Sequence, residues 1–229
     1  MPLQVQQLAL GSGMLSVNAY LISGDAGFVL IDTGMRRHRA LLDSKLAEAG
    51  CIPGSLNLVL ITHGDADHIG NARHVRDTYD SPVAMHASDV EMAAEGNMFA
   101  GRKAPNPVVK ALLGLAAGVR EEDRFSPDVL LDESSDLTDY GLPGARILLL
   151  QGHSAGSIAL VLEDGSLLCG DVMENRTSPK LGSIMDDVPL AQQSVQRLLT
   201  LDIGTVYPGH GRPFQISEYP RETAERSPV

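Results

Sequence analysis

The chain has 229 residues, 43% of them hydrophobic and 21% charged. A chain of that size and make-up buries roughly 70% of its unfolded surface, which excludes disordered, collagen-like and disulfide-stapled classes. The formal charge of −11 repels phosphate backbones, so a nucleic-acid partner is not expected.

No window approaches the ~18 apolar residues of a spanning helix, so no membrane partner is expected either. The N-terminal residues lack a basic start and a long apolar run, so no signal peptide is read. Two cysteines, Cys51 and Cys169, fit free thiols in the cytoplasm.

Residues 16–23 (SVNAYLIS) and 27–31 (GFVLI) are apolar and β-prone, with Gly24-Asp25 as a turn signal between them. A hairpin is expected there. From 39 to 49, Leu41, Leu42 and Leu46 recur at helical spacing, and Gly50 follows as a cap. Residues 56–62 (LNLVLIT) read as a buried strand, 72–79 as a helix and 82–86 as a short strand. The stretch near 88–124 differs. Its Met92, Met98, Phe99, Leu112, Leu113 and Leu115 are broken by Pro105 and Pro107, which predicts two helices around a loop. Residues 146–151 and 157–162 then read as strands, Asp164-Gly165 as a turn and 166–169 as a further strand. A helix over 190–201, with Asp186 or Asp187 near its start, and a strand over 204–207 complete the chain. Strands and helices alternate on both sides of the insert without a clear linker. The fold class is therefore α/β, with one domain over 1–229.

Seven histidines occur: His38, His63, His68, His74, His86, His153 and His210. The densest cluster is Thr62-His63-Gly64-Asp65-Ala66-Asp67-His68, between a predicted strand and a helix. Imidazole and carboxylate are the ligands that zinc and other first-row metals take. The small Gly64 and Ala66 let the loop curl around an ion. Three more segments follow predicted strands: Gly152-His153-Ser154-Ala155-Gly156, Cys169-Gly170-Asp171 and Tyr207-Pro208-Gly209-His210-Gly211. Each sets one ligand-type side chain just past a strand, where α/β proteins gather their ligands. A lone histidine in a glycine-rich turn is more often structural. Four such segments in series argue for a metal centre.

On these residues the chain resembles the metallo-β-lactamase-fold hydrolase superfamily. That family carries His-x-His-x-Asp-His, then His, Asp and His on later loops. Here the run is His63-Gly64-Asp65-Ala66-Asp67-His68, followed by His153, Asp171 and His210. Ile31-Asp32-Thr33-Gly34 also looks like the family. The resemblance implies a four-layer αββα sandwich with a helical insert near 88–124. It implies two divalent metal ions, zinc foremost. His63, Asp65 and His153 would form the first site, and Asp67, His68 and His210 the second, with Asp171 bridging. The implied activity is hydrolysis of an ester, thioester or lactone bond of a small molecule through a metal-bound hydroxide. Asp67 would be the catalytic residue that holds the water and shuttles its proton.

One departure stands out: the family's second histidine is Asp65 here. Two divalent ions, three carboxylates and a bridging hydroxide sum to neutral, where a histidine at 65 would leave one positive charge. A less positive site acidifies water less, and a hard oxygen ligand shifts preference toward manganese or iron. The first site is therefore expected to be weaker or less zinc-selective. Asp171 stands where many zinc β-lactamases have cysteine, which counts against antibiotic hydrolysis.

The alternative is an iron-dependent redox enzyme on the same fold, like an oxygen or NO reductase or a sulfur dioxygenase. A second rival is a serine hydrolase, because Gly152–Gly156 also matches Gly-x-Ser-x-Gly. That motif needs a helix after the serine, and a predicted strand follows Ser154. The insert would roof the metal rim or form a dimer contact, which leaves a homodimer open. His86, at a strand end, is a candidate to support the ligands. His38 and His74 read as surface or structural.

Overall fold

The computed structural model describes residues 2–13, 16–100, 102 and 119–220. Its apolar runs form strands whose alternate residues enter different cores. The first sheet has six strands in chain order: β1 (Gln4–Leu10), β2 (Val17–Gly24), β3 (Gly27–Ile31), β4 (Leu56–Leu60), β5 (Val83–His86) and β6 (Val129–Leu131). Neighbours are antiparallel up to β3 and parallel from there on. The second sheet contains β7 (Arg146–Leu149), β8 (Ile158–Val161), β9 (Leu167–Gly170), β12 (Thr205–Pro208) and β13 (Phe214–Gln215), in the order β13-β12-β9-β8-β7. A two-stranded ribbon, β10 (Met173–Glu174) with β11 (Lys180–Leu181), lies apart from both. The described α-helices are α1 (Arg39–Glu48), α2 (Ala66–Ile69), α3 (Ala72–Tyr79), α4 (Val90–Glu95) and α5 (Val188–Leu198).

Three cores separate four layers. Tyr20, Ile22, Val29, Ile31, Leu58 and Leu60 of the first sheet meet Ile158, Leu160 and Leu168 of the second. Their neighbours Ala19, Leu21, Leu30 and Val59 face the other way, onto Leu42 and Leu46 of α1 and Val75 and Tyr79 of α3. Ala159, Val161, Leu167 and Cys169 pack on Val195 and Leu198 of α5. Both faces of the central strands are covered, which is why they read as unbroken apolar runs. Each such buried leucine contributes roughly 1.5–3 kcal/mol. The result is the αββα sandwich.

This topology makes one functional rim. β3-α1-β4 and β9-α5-β12 both return to a parallel strand, so the C-terminal ends of all four strands point the same way. β7 runs antiparallel to β8, and β8 antiparallel to β9, which brings the end of β7 to that rim too. The two sheets are tied there by Ile158 N donating to Thr62 O at 2.9 Å and Asn18 N donating to Gly209 O at 2.8 Å.

Several sequence expectations shift. β1 is absent from the sequence expectation, because Gln4, Gln6 and Gln7 mask its pattern, yet it pairs with β2 over its whole length. Leu41 of α1 is 42% exposed, so only Leu42 and Leu46 serve the core. α5 starts at Val188, ahead of the expected 190, because Asp187 caps it by accepting the Leu190 amide at 3.0 Å. In the insert, α4 is the one described α-helix. The second expected helix falls on residues 103–118 and lies outside the described residues. Cys51 and Cys169 are free and buried in different cores. Among the described residues no helix is long and apolar enough to cross a membrane.

Candidate metal centre

The seven expected ligands converge at the rim. His63 and Asp65 leave the end of β4, and the one-turn helix α2 carries Asp67 and His68. His153 follows β7, Asp171 follows β9 and His210 follows β12. Their donor atoms form three overlapping groups, each within 4.8 Å: His63, Asp65 and His153; Asp67, His68 and His210; and His63, His68 and Asp171. The first two groups are the two triads named from the sequence. The third joins Asp171 to one histidine of each triad, as a bridge requires.

The spacings suit ligation. His153 Nε2 lies 3.1 Å and His63 Nε2 3.7 Å from Asp65 Oδ2. His210 Nε2 lies 3.3 Å from Asp67 Oδ2 and 3.1 Å from Asp171 Oδ2. His68 Nε2 lies 3.3 Å from Asp171 Oδ1 and 4.0 Å from Asp67 Oδ2. Ligands at about 2.0–2.1 Å around one tetrahedral ion stand about 3.3 Å apart.

The imidazoles are aimed by bonds on their other nitrogen. Asp32 Oδ2 accepts from His68 Nδ1 at 2.8 Å and from Thr62 Oγ1 at 2.7 Å. With its proton given to Asp32, Thr62 Oγ1 accepts from His63 Nδ1, 2.9 Å away. Ser16 O accepts from His210 Nδ1 at 2.8 Å. All three rings therefore turn Nε2 inward. Asp32 does this from a left-handed backbone, φ 58°, a strained geometry that aspartate tolerates better than most residues. Two glycines let the loops close. A Cβ on Gly170 would stand 2.7 Å from Thr62 Oγ1, and one on Gly209 would collide with Asp171 Oδ1.

Fit to metal ions rests on unmet bonding. His63 Nε2, His68 Nε2 and Asp171 Oδ1 are buried without a hydrogen-bond partner, which native structures rarely allow. The electrostatics hold the carboxylates ionised. Burial opposes ionisation of Asp171, but His210 and His68 outweigh it and hold the carboxyl well below its usual range. Burial likewise opposes charge on His210, yet Asp171 and Asp67 push it up to about 10. His63 goes the other way: burial, then His68 and His153, lowers it toward the neutral ligand form. The residues present thus fit two divalent ions. Asp67, with a side chain 23% exposed against at most 10% for Asp65, His68 and Asp171, is the ligand that reaches solvent.

Other expectations resolve around this centre. Ser154 is buried, and its Oγ donates to Asp89 Oδ2 at 2.7 Å. β8 follows it rather than a helix, so the nucleophile-elbow reading fails. Asp89, which no sequence motif singles out, also accepts from Gly64 N at 2.9 Å and Gly156 N at 2.8 Å. It thereby binds two ligand loops together. Met92, Met98 and Phe99 form a small buried cluster of their own, and Met92 lies against Gly64 of the ligand loop. These residues pack on one another and on the ligand loop. His86 accepts the Ser88 amide at 3.2 Å as a local cap, and among the described residues no hydrogen bond ties it to the seven candidate ligands. His38 is buried, and His74 pairs with Asp43 at 3.0 Å.

The family model of the Metallo-beta-lactamase superfamily matches residues 12–210. The chain belongs to that superfamily. The probable metallo-hydrolase YqgX of Bacillus subtilis is 27% identical to it over 202 residues, 87% of either chain. The metallo-beta-lactamase family protein TTHA1429 of Thermus thermophilus superposes with a TM-score of 0.68 at 27% identity, over 93% of this chain and 76% of that one. TTHA1623, solved in a di-iron-bound form, superposes with a TM-score of 0.69 at 25% identity, over 93% and 98%. Membership in this superfamily supports a metal-dependent hydrolase at the coarse level, and the His/Asp clusters support divalent metal binding.

Proposed function

We propose that the protein is a dinuclear metallohydrolase that opens an ester, thioester or lactone bond of a small molecule. One observation carries the reading: two donor triads share Asp171 between them, with imidazole nitrogens turned inward by buried partners. His63, Asp65 and His153 would hold one ion, and Asp67, His68 and His210 the other. Ions held there would supply an acidified water and a polarised scissile carbonyl. Asp67 faces His68 and His210 through Oδ2 and opens toward solvent. It is placed to orient the attacking water and to pass its proton to the leaving group. The acidic charge disfavours polynucleotides.

A second reading has its own support. Asp65 is a hard oxygen ligand, and TTHA1623 holds two irons. An iron-dependent redox enzyme would fit both facts. Elemental analysis of untagged protein purified without chelator, followed by an ester, thioester and lactone panel, separates the readings. About two zinc or manganese ions per chain with turnover in that panel supports the hydrolase. Predominant iron with oxygen- or persulfide-dependent turnover replaces it with the redox reading. No metal, even after reconstitution, removes both.

A further inference from the structure

The first triad holds a residue that its sequence pattern does not announce. Asp65 divides its two carboxylate oxygens. Oδ2 faces His153 Nε2 at 3.1 Å and His63 Nε2 at 3.7 Å. Oδ1 points away from them, to Arg102 Nη2 at 2.9 Å. Arg102 comes from the insert, yet its side chain is only 3% exposed. The same Nη2 donates to the His153 carbonyl at 3.4 Å, and Nε lies 3.3 Å from Asp186 Oδ2, just ahead of α5. One guanidinium therefore touches two of the three residues of the first triad.

The contrast with the other imidazoles gives this contact its meaning. His63, His68 and His210 are each fixed through Nδ1. His153 Nδ1 is buried without a hydrogen-bond partner, so its ring lacks that brace. Asp65, in turn, is a short carboxylate where the family pattern has an imidazole. Left to itself, a carboxylate can offer one oxygen or both to a cation. A guanidinium nitrogen ion-paired to one oxygen at 2.9 Å biases that choice toward the other.

We infer that Arg102 is a positioning residue of the first metal triad: it engages Asp65 Oδ1 and the His153 backbone, so that Asp65 Oδ2 alone is presented to an ion beside His63 and His153. This rests on the metallohydrolase reading of the centre. Arg102 also sets a fixed positive charge against the carboxylate that stands in place of an imidazole, with Asp186 as its second counter-ion. The guanidinium occupies Oδ1 and not the face of the imidazole nitrogens, so it leaves Oδ2 free for the ion. Groups that orient a metal ligand from behind are worth about 10–100-fold in metal affinity.

The test strips the protein with chelator and titrates Zn²⁺ against a competing chelator, reading affinity and ions per chain. Native protein is compared with Arg102→Met, Arg102→Lys, Asp65→His and the Asp65→His/Arg102→Met double variant. Far-UV circular dichroism of the stripped forms checks that each is folded. Native protein should take two ions. Arg102→Met should weaken one of them about 10–100-fold and leave the other unchanged, and Arg102→Lys should recover part of the loss. In the Asp65→His background, removing Arg102 should cause no loss, because the carboxylate it positions is gone. Arg102→Met binding both ions as tightly as native, or more tightly, overturns the inference. Equal loss in both backgrounds overturns it as well, since the arginine then acts on the fold and not through Asp65. A native chain that holds a single ion overturns it too. A native chain that holds none overturns it together with the metallohydrolase reading.

Discussion

The two triads are built from similar donors but braced from different parts of the molecule. The second, Asp67, His68 and His210, is braced by the first sheet. Asp32 at the end of β3 holds His68, and Ser16 just before β2 holds His210. From β2, Asn18 and Tyr20 both donate to the Pro208 carbonyl of the His210 loop, at 2.9 and 2.7 Å. The first triad, His63, Asp65 and His153, shares one of these supports through Thr62. Its remaining supports, Asp89 and Arg102, come from the segment between β5 and β6. One site is therefore braced from the sandwich, and the other in part from the segment between β5 and β6. A site braced by loop segments is the easier one to tune or to lose.

The largest effect tests the chemistry that the second triad is given. Asp67→Asn should lower kcat by about 10²–10⁴-fold with little change in KM, measured on whichever substrate the panel identifies. An unchanged kcat removes Asp67 from proton transfer. Next, Asp32→Asn sets an amide against the donors of His68 and Thr62. It should weaken the second-triad ion about 10–100-fold, with a smaller effect on the first through Thr62. Loss of the first ion alone would break the comparison.

Asp89→Ala should act on the other side. It leaves the Gly64 amide, the Ser154 hydroxyl and the Gly156 amide without their acceptor, at about 1–3 kcal/mol in urea unfolding. Metal loss should appear at the first triad before the second. The smallest effect is Asp123→Asn. Burial opposes ionisation of Asp123, but Arg39 and Arg36 outweigh it and hold its carboxyl below the usual value. A depressed folded pKa gives stability that is present above the unfolded pKa of about 3.9 and is lost as pH falls through the folded value. Near neutral pH the variant should lose about 1 kcal/mol. That deficit should shrink toward zero in acid, as read by urea unfolding at pH 7 and at pH 3.

The candidate ligands were legible because each is local. His63, Asp65, Asp67 and His68 share one short segment after β4, and His153, Asp171 and His210 each follow a strand that its apolar run announces. The central strands were legible for a related reason, since burial on both faces leaves no polar position to break the run. β1 was hidden by its glutamines, one of which, Gln7, bonds Asn18 at 2.8 Å across the β1–β2 pair. Leu41 misled because helical spacing does not say which edge of an apolar stripe meets the core.

What the sequence determined by itself was the chemical inventory: seven donors, the order in which strand ends deliver them, and the α/β alternation that puts strand ends on one rim. Tertiary structure alone decided what holds each donor still. Asp32 reaches His68 across 36 positions, and Ser154 reaches Asp89 across 65. Arg102 and Asp65, 37 positions apart in the chain, likewise meet only in the folded molecule. Such partners are single polar residues in ordinary loops, with no periodicity to mark them. Their roles arise from burial, where a charge or donor must find its complement in space, and that complement carries no signature along the chain.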